Sequence, residues 1–102
     1  MRPEKLDDST LAAWLTTHPE WKRSSPAGHP DRGAIVRDFA FKDFVSALGF
    51  VVRVGCIAER RDHHPDVELA WGRARILWST HDAGGITRLD LELAESTDGL
   101  LP

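Results

Sequence analysis

Cysteine is almost missing from this chain: Cys56 is the only one in 102 residues. A lone cysteine excludes an intrachain disulfide framework and removes the paired-thiol zinc signatures, which fits a reducing compartment. Long apolar runs are missing too. Nothing approaches the roughly 18 residues of a membrane helix, and Met1-Arg2-Pro3-Glu4-Lys5 leads into no continuous apolar stretch of the kind a secretory signal carries. These absences point to a soluble, cytoplasmic protein. Basic excess is also absent: the formal net charge is -3, which gives no electrostatic reason to expect a nucleic acid or an anionic membrane as partner. There is no internal repeat and no low-complexity segment.

The residues that are present describe an ordinary globular domain. Hydrophobic residues make up 41% and charged residues 28%, close to globular averages. A chain of this length forms one domain over residues 1–102 and buries roughly 65% of its unfolded surface.

Leu11, Trp14 and Leu15 follow Asp7-Asp8-Ser9 at helical spacing, so the spacing predicts a short amphipathic helix from Leu6 that ends near His18-Pro19. The Trp21 segment reads as a brief strand. Residues 24–33, with two serines, two prolines and two glycines, read as a surface loop. Ile35, Arg37 and Phe39 share one face of a second strand. From Phe41 the period changes, because Phe41, Phe44, Val45, Leu48, Val51, Val52 and Gly55 follow the i, i+3, i+4, i+7 rule. This predicts the longest helix, from 41 to about 60, with Arg60 and Arg61 closing its last turn, where cations suit the helix dipole. Phe50, Val54 and Ile57 lie outside that stripe, so more than one side of the helix should be covered, by the sheet and by a neighbouring helix or subunit. Cys56, inside the helix, reads as a small buried hydrophobe.

Val67, Leu69 and Trp71 alternate, as do Ala74, Ile76 and Trp78, with Gly72-Arg73 as a two-residue turn between them. That turn would pair Trp71 with Ala74, Leu69 with Ile76 and Val67 with Trp78, all six facing the helices, and extending the ladder would set His64 opposite His81. Pro65 cannot donate to a ladder, so the firm expectation is that the two histidine segments come close. A last helix follows Gly84-Gly85. Thr87 is its N-cap, Asp90 the capping-box partner, and Ile86 with Leu91 a hydrophobic staple, with Leu89, Leu93 and Ala94 facing inward. The order helix, strand, strand, helix, strand, strand, helix predicts an α+β fold with three helices on one face of a four-stranded antiparallel sheet.

Titratable chemistry concentrates in Glu59-Arg60-Arg61-Asp62-His63-His64-Pro65, His81 and Asp90, which hold three of the five histidines. Histidine titrates nearest neutrality, so a function is most readily argued here. Pro65 disfavours the helical conformation for His64, so the long helix ends by His63 and the two imidazoles leave an extended turn in different directions. A structural reading exists for each member. The histidines could cap the helix, Glu59 could pair with a basic side chain, and Asp90 could serve the capping box alone. Glu59 is notable because a carboxylate in a last helical turn opposes the dipole. A zinc site lacks the His-Glu-x-x-His or His-x-His spacing, and no serine sits in a Gly-x-Ser-x-Gly elbow. Imidazole proton transfer needs neither metal nor nucleophile.

Ala58-Glu59, Asp62-His63-His64-Pro65, Trp71, Ser79-Thr80-His81-Asp82, Gly84-Gly85-Ile86-Thr87 and Asp90, in that order, resemble the pterin-4a-carbinolamine dehydratase family. The resemblance covers roughly residues 33–95. It implies dehydration of 4a-hydroxytetrahydropterin to quinonoid dihydropterin, a step of tetrahydropterin recycling, without a cofactor. It also implies His63 and His81 as acid and base, His64 as a group holding the pterin, and Glu59 and Pro65 as pocket lining, with Asp62, Thr80 and Asp90 in support. Val67 stands where some members carry an aromatic. The family forms homodimers and homotetramers, and some members serve as dimerisation partners of transcription factors, so a non-catalytic or dual interaction role is the second function implied.

Overall fold

In the computed structural model, which describes residues 4–102, the chain folds as α1 (Asp8–Thr17), β1 (Lys22–Ser24), β2 (Ala34–Ala40), α2 (Phe44–Arg61), β3 (Asp66–Ala70), β4 (Arg73–Trp78) and α3 (Arg88–Asp98). The strands form one antiparallel sheet in the order β1-β2-β4-β3, and the architecture is α+β. Capping residues start the first two helices. Asp7 accepts from the Thr10 amide and Asp43 from the Ser46 amide, each at 2.8 Å. The hydrogen bonds from Thr10 and from Ser46 hold the two carboxyls below the usual aspartate value.

Ile35 and Phe39 of β2 and Ala74, Ile76 and Trp78 of β4 form the helix-facing core with Phe50 and Val54 of α2 and Leu91, Leu93 and Ala94 of α3. Arg37 shares that face. Its guanidinium lies 4.6 Å from the centre of the Phe39 ring and pairs with Asp98 at 2.8 Å, which explains how a charge interrupts an apolar strand face. Three indoles also fasten α3. Trp14 donates to Glu95, Trp21 to Asp98 and Trp78 to Thr97, so Trp21 and Trp78 bury their rings fully, and Trp14 in part, without stranding an N–H. Among the described residues no helix is long and apolar enough to cross a membrane.

Three expectations need correction. First, α2 turns a different side to the sheet. Ala47, Phe50, Val54 and Ala58 are fully buried, whereas Phe44, Val45, Leu48 and Val52 of the predicted stripe are 44%, 69%, 38% and 56% exposed. Two alanines let the backbone approach the sheet while Phe50 and Val54 fill the space between them. Apolar spacing alone cannot distinguish such a core face from an uncovered one. Phe41 precedes the helix, and Cys56 is exposed rather than buried.

Second, the hairpin register differs by two residues: Leu69 pairs with Ala74 and Val67 with Ile76. The turn is Trp71-Gly72, because the positive φ of +71° falls on Gly72, where an added Cβ would also approach the Phe41 carbonyl oxygen to 3.0 Å. A shift of two preserves which residues share a face. It moves Trp71 out of the sheet to 74% exposure and leaves Val67, on the edge strand, at 39%. Third, the ladder stops at Asp66–Leu77, and extending its register would set His64 across from Ser79 rather than His81.

Two substitutions check these corrections. Phe50→Ala should cost about 3–5 kcal/mol in denaturant unfolding, and Trp71→Ala should stay within about 0.5 kcal/mol. Equal losses would contradict the observed register.

Candidate active site

The end of α2 sets the first part of the site. Asp62 takes the left-handed conformation at φ 49°, and its amide caps the carbonyls of Ala58 and Glu59. The chain then runs extended into β3, and the two imidazoles that follow part company. The His63 side chain is 14% exposed and that of His64 is 56% exposed. His64 Nε2 meets Glu59 Oε1 at 2.6 Å. Glu59 thus finds a partner that lies beyond the helix, which accounts for a carboxylate at the unfavourable end of the dipole.

The second part comes from the segment between β4 and α3. Thr80 and Gly85 form an isolated bridge around a single 3₁₀ turn, His81–Ala83, which carries His81 into solvent. Thr87 and Asp90 make the capping box of α3, as the spacing predicted, with Asp90 Oδ2 accepting from the Thr87 amide at 2.9 Å. Ile86 and Leu91, the expected staple, are both buried. Asp90 is fully buried, and its Oδ2 also accepts from Thr80 Oγ1 at 2.7 Å. Its Oδ1 lies 2.7 Å from His63 Nε2. Capping and a contact with the imidazole therefore use the two oxygens of one carboxylate.

These contacts constrain the protons. An ionised carboxylate can only accept, so His63 donates through Nε2–H, and in the neutral ring Nδ1 keeps its lone pair. The His63 ring lies nearly parallel to Trp78, at 11° with centroids 6.0 Å apart, so its orientation is fixed from two sides. At His81 the pattern is reversed. Arg32 contacts Nδ1, and since guanidinium has donors only, Nδ1 accepts and the neutral ring carries its hydrogen on Nε2.

His63, His64 and His81 line one cavity of about 310 Å³, together with Asp62, Thr80 and Arg32. Glu59, Pro65 and Asp90 stand behind the wall: Glu59 against His64, Asp90 against His63, and Pro65 between His64 and β3. Ser79 and Asp82 of the Ser79–Asp82 motif also line the cavity, as do Arg32 and Asp66, which belong to no motif in the sequence. Arg32 lies 49 positions before His81 in a loop without periodicity, so no local pattern could reveal it. Among the described residues, no group of three or more His, Cys, Asp or Glu side chains is placed to hold a metal ion.

The profile of the family described as pterin 4 alpha carbinolamine dehydratase matches residues 4–100. The chain belongs to that family. It is 41% identical over 98 residues to a pterin-4-alpha-carbinolamine dehydratase of Rhodospirillum rubrum, itself only provisionally named, covering 96% of this chain and 97% of that protein. A provisionally named homologue from Rhizorhabdus wittichii is 40% identical over 100 residues, with 98% of each chain covered. Among solved structures, a transcriptional coactivator/pterin dehydratase from Brucella melitensis superposes with a TM-score of 0.81 at 33% identity, covering 94% of this chain and 97% of that one. A pterin dehydratase-like RuBisCO assembly factor of the alpha-carboxysome superposes with a TM-score of 0.63 at 16% identity, covering 79% and 88%, a likeness of fold alone.

Proposed function

We propose that this protein dehydrates a 4a-hydroxytetrahydropterin to the quinonoid dihydropterin, as a hydro-lyase acting through His63 and His81. The observation that carries this reading is the arrangement of two imidazoles with opposite hydrogen-bonding sense on one cavity, in a chain of the dehydratase family. His63 Nδ1 takes the proton from the ring nitrogen, and the buried Asp90 carboxylate stabilises the imidazolium that forms. The nitrogen electron pair makes the new C=N bond as the C4a–O bond breaks. His81 Nε2–H holds the departing oxygen, which collects its second hydrogen from the His63 imidazolium and leaves as water. No other reactant is consumed. His64, Glu59, Pro65 and Asp62 bind the pterin or shape its surroundings, and Thr80 supports Asp90.

A positioned proton-transfer group contributes about 10²–10⁴-fold. Replacing His63 and His81 together by alanine should therefore bring the dehydration of synthetic 4a-hydroxytetrahydropterin close to the buffer rate, while the circular dichroism spectrum stays unchanged. Retention of more than a tenth of the wild-type rate in a folded double variant would refute the assignment.

We also propose that the protein is a homodimer or homotetramer held through α2. Phe44, Val45, Leu48 and Val52 form an exposed apolar stripe at i, i+1, i+4 and i+8, the spacing by which helices pack against one another. The same stripe is what favours the second reading, a dual role in which this surface binds another protein. Light scattering should give a mass of two or four chains, falling toward one in a Leu48→Asp, Val52→Asp variant. A single-chain mass for the wild type would remove the self-association proposal and leave the stripe to a foreign partner.

A further inference from the structure

Arg32 keeps different company from the arginines that form ion pairs. Arg23, Arg37, Arg61, Arg73 and Arg75 each lie 2.8–3.6 Å from a carboxylate oxygen. Arg32 forms no such pair among the described residues, and its guanidinium meets an uncharged acceptor, Nδ1 of His81. The loop 25–33 brings it there. That loop is wound on itself by hydrogen bonds from the His29 amide to the Pro26 carbonyl at 3.0 Å, from the Arg32 amide to the His29 carbonyl at 3.1 Å, and from Ser25 Oγ to the Pro30 carbonyl at 3.2 Å. Pro26 is buried and anchors it. None of these bonds uses the Arg32 side chain, so the backbone carries the guanidinium to the histidine and the side chain is not needed to shape the loop.

Two consequences for His81 follow from the contact. His81 stands exposed on a three-residue turn, and Arg32 is the side chain that engages its ring among the described residues, so Arg32 sets where the ring points. The N–H from Arg32 also occupies the Nδ1 lone pair, which leaves Nε2–H as the ring's working atom. Hydrogen bonds in a chain polarise one another, and a cation at one end of the ring draws electron density from it. The Nε2–H at the other end becomes a stronger donor.

We propose that Arg32 is a positioning residue for the dehydration, acting through His81 and not on the pterin itself. When the C4a–O bond breaks, its electron pair stays with the oxygen, and the charge growing there meets the Nε2–H that Arg32 orients and strengthens. This inference rests on the dehydratase reading and deepens it. It gives the loop 25–33, which lies 49 positions before His81, a part in the chemistry.

The test uses the purified full-length protein and Arg32→Ala, which keeps the backbone bond to His29 and removes the guanidinium. With synthetic 4a-hydroxytetrahydropterin, kcat should fall by about 10–100-fold, less than the about 10²–10⁴-fold of a group that itself transfers a proton. KM should stay close to the wild-type value, as expected for an interaction felt only in the transition state. In a His81→Ala background the same substitution should cost nothing further, because its effect passes through the ring. A readout separate from activity is the side-chain ¹⁵N spectrum of the neutral ring, in which the His81 Nδ1 resonance should move downfield in Arg32→Ala, toward the position of an unengaged lone pair. A rise in KM alone, an equal loss of kcat in the His81→Ala background, or an unmoved Nδ1 resonance would overturn the proposal and leave the dehydratase reading intact. Absence of any turnover by the wild type would remove both.

Discussion

The interaction on which the site depends is the buried carboxylate of Asp90. A carboxylate taken wholly out of water costs several kcal/mol unless hydrogen bonds replace its hydration. Here the Thr87 amide, the Thr80 hydroxyl and His63 Nε2 all point at it. These donors come from the start of α3, the exit of β4 and the turn after α2, so one anion holds together three segments that are distant in sequence. Removing it would strand buried donors at about 1–3 kcal/mol each, and would release the ring it orients. Stability and the proposed chemistry therefore draw on the same atoms.

That arrangement grades the three histidines by environment. His63 is mostly buried, carboxylate-paired and lies face to face with an indole, so it has little freedom. His64 is exposed and held by a surface pair with Glu59, the kind of contact that contributes little to stability. His81 sits on a short turn and takes its tautomer from Arg32. In the proposed dehydration the enclosed His63 is the proton acceptor, the exposed His64 a substrate contact and His81 the hydrogen-bond donor, all three on one cavity.

Much of this was legible in the chain, for reasons that differ from element to element. The capping box Thr87–Asp90 is a local motif whose two partners are three residues apart, so its geometry follows from spacing. Strand alternation in β3 and β4 identified the face shared by Leu69, Ala74, Ile76 and Trp78. Register was missed because either Trp71-Gly72 or Gly72-Arg73 could supply a two-residue turn, and only the conformation of Gly72 decides between them. The face of α2 was misjudged because its exposed side is richer in large apolar residues than its buried one, a pattern that hydrophobicity cannot distinguish from a core. Within the site, the proximity of the His63-His64 turn to His81 could be argued from the hairpin. The contribution of Arg32 could not, because it depends on how a loop folds back across the sheet.

The central claim is that Asp90 holds His63 with hydrogen on Nε2 and its Nδ1 lone pair available to substrate. Long-range ¹H–¹⁵N correlation of the histidine side chains, above the pH at which the ring protonates, tests it most directly. The account predicts that His63 shows a protonated Nε2 and an unprotonated Nδ1 in the wild-type protein, and that this preference is lost in Asp90→Ala. A His63 ring carrying its hydrogen on Nδ1, or a tautomer indifferent to loss of the carboxylate, would contradict it.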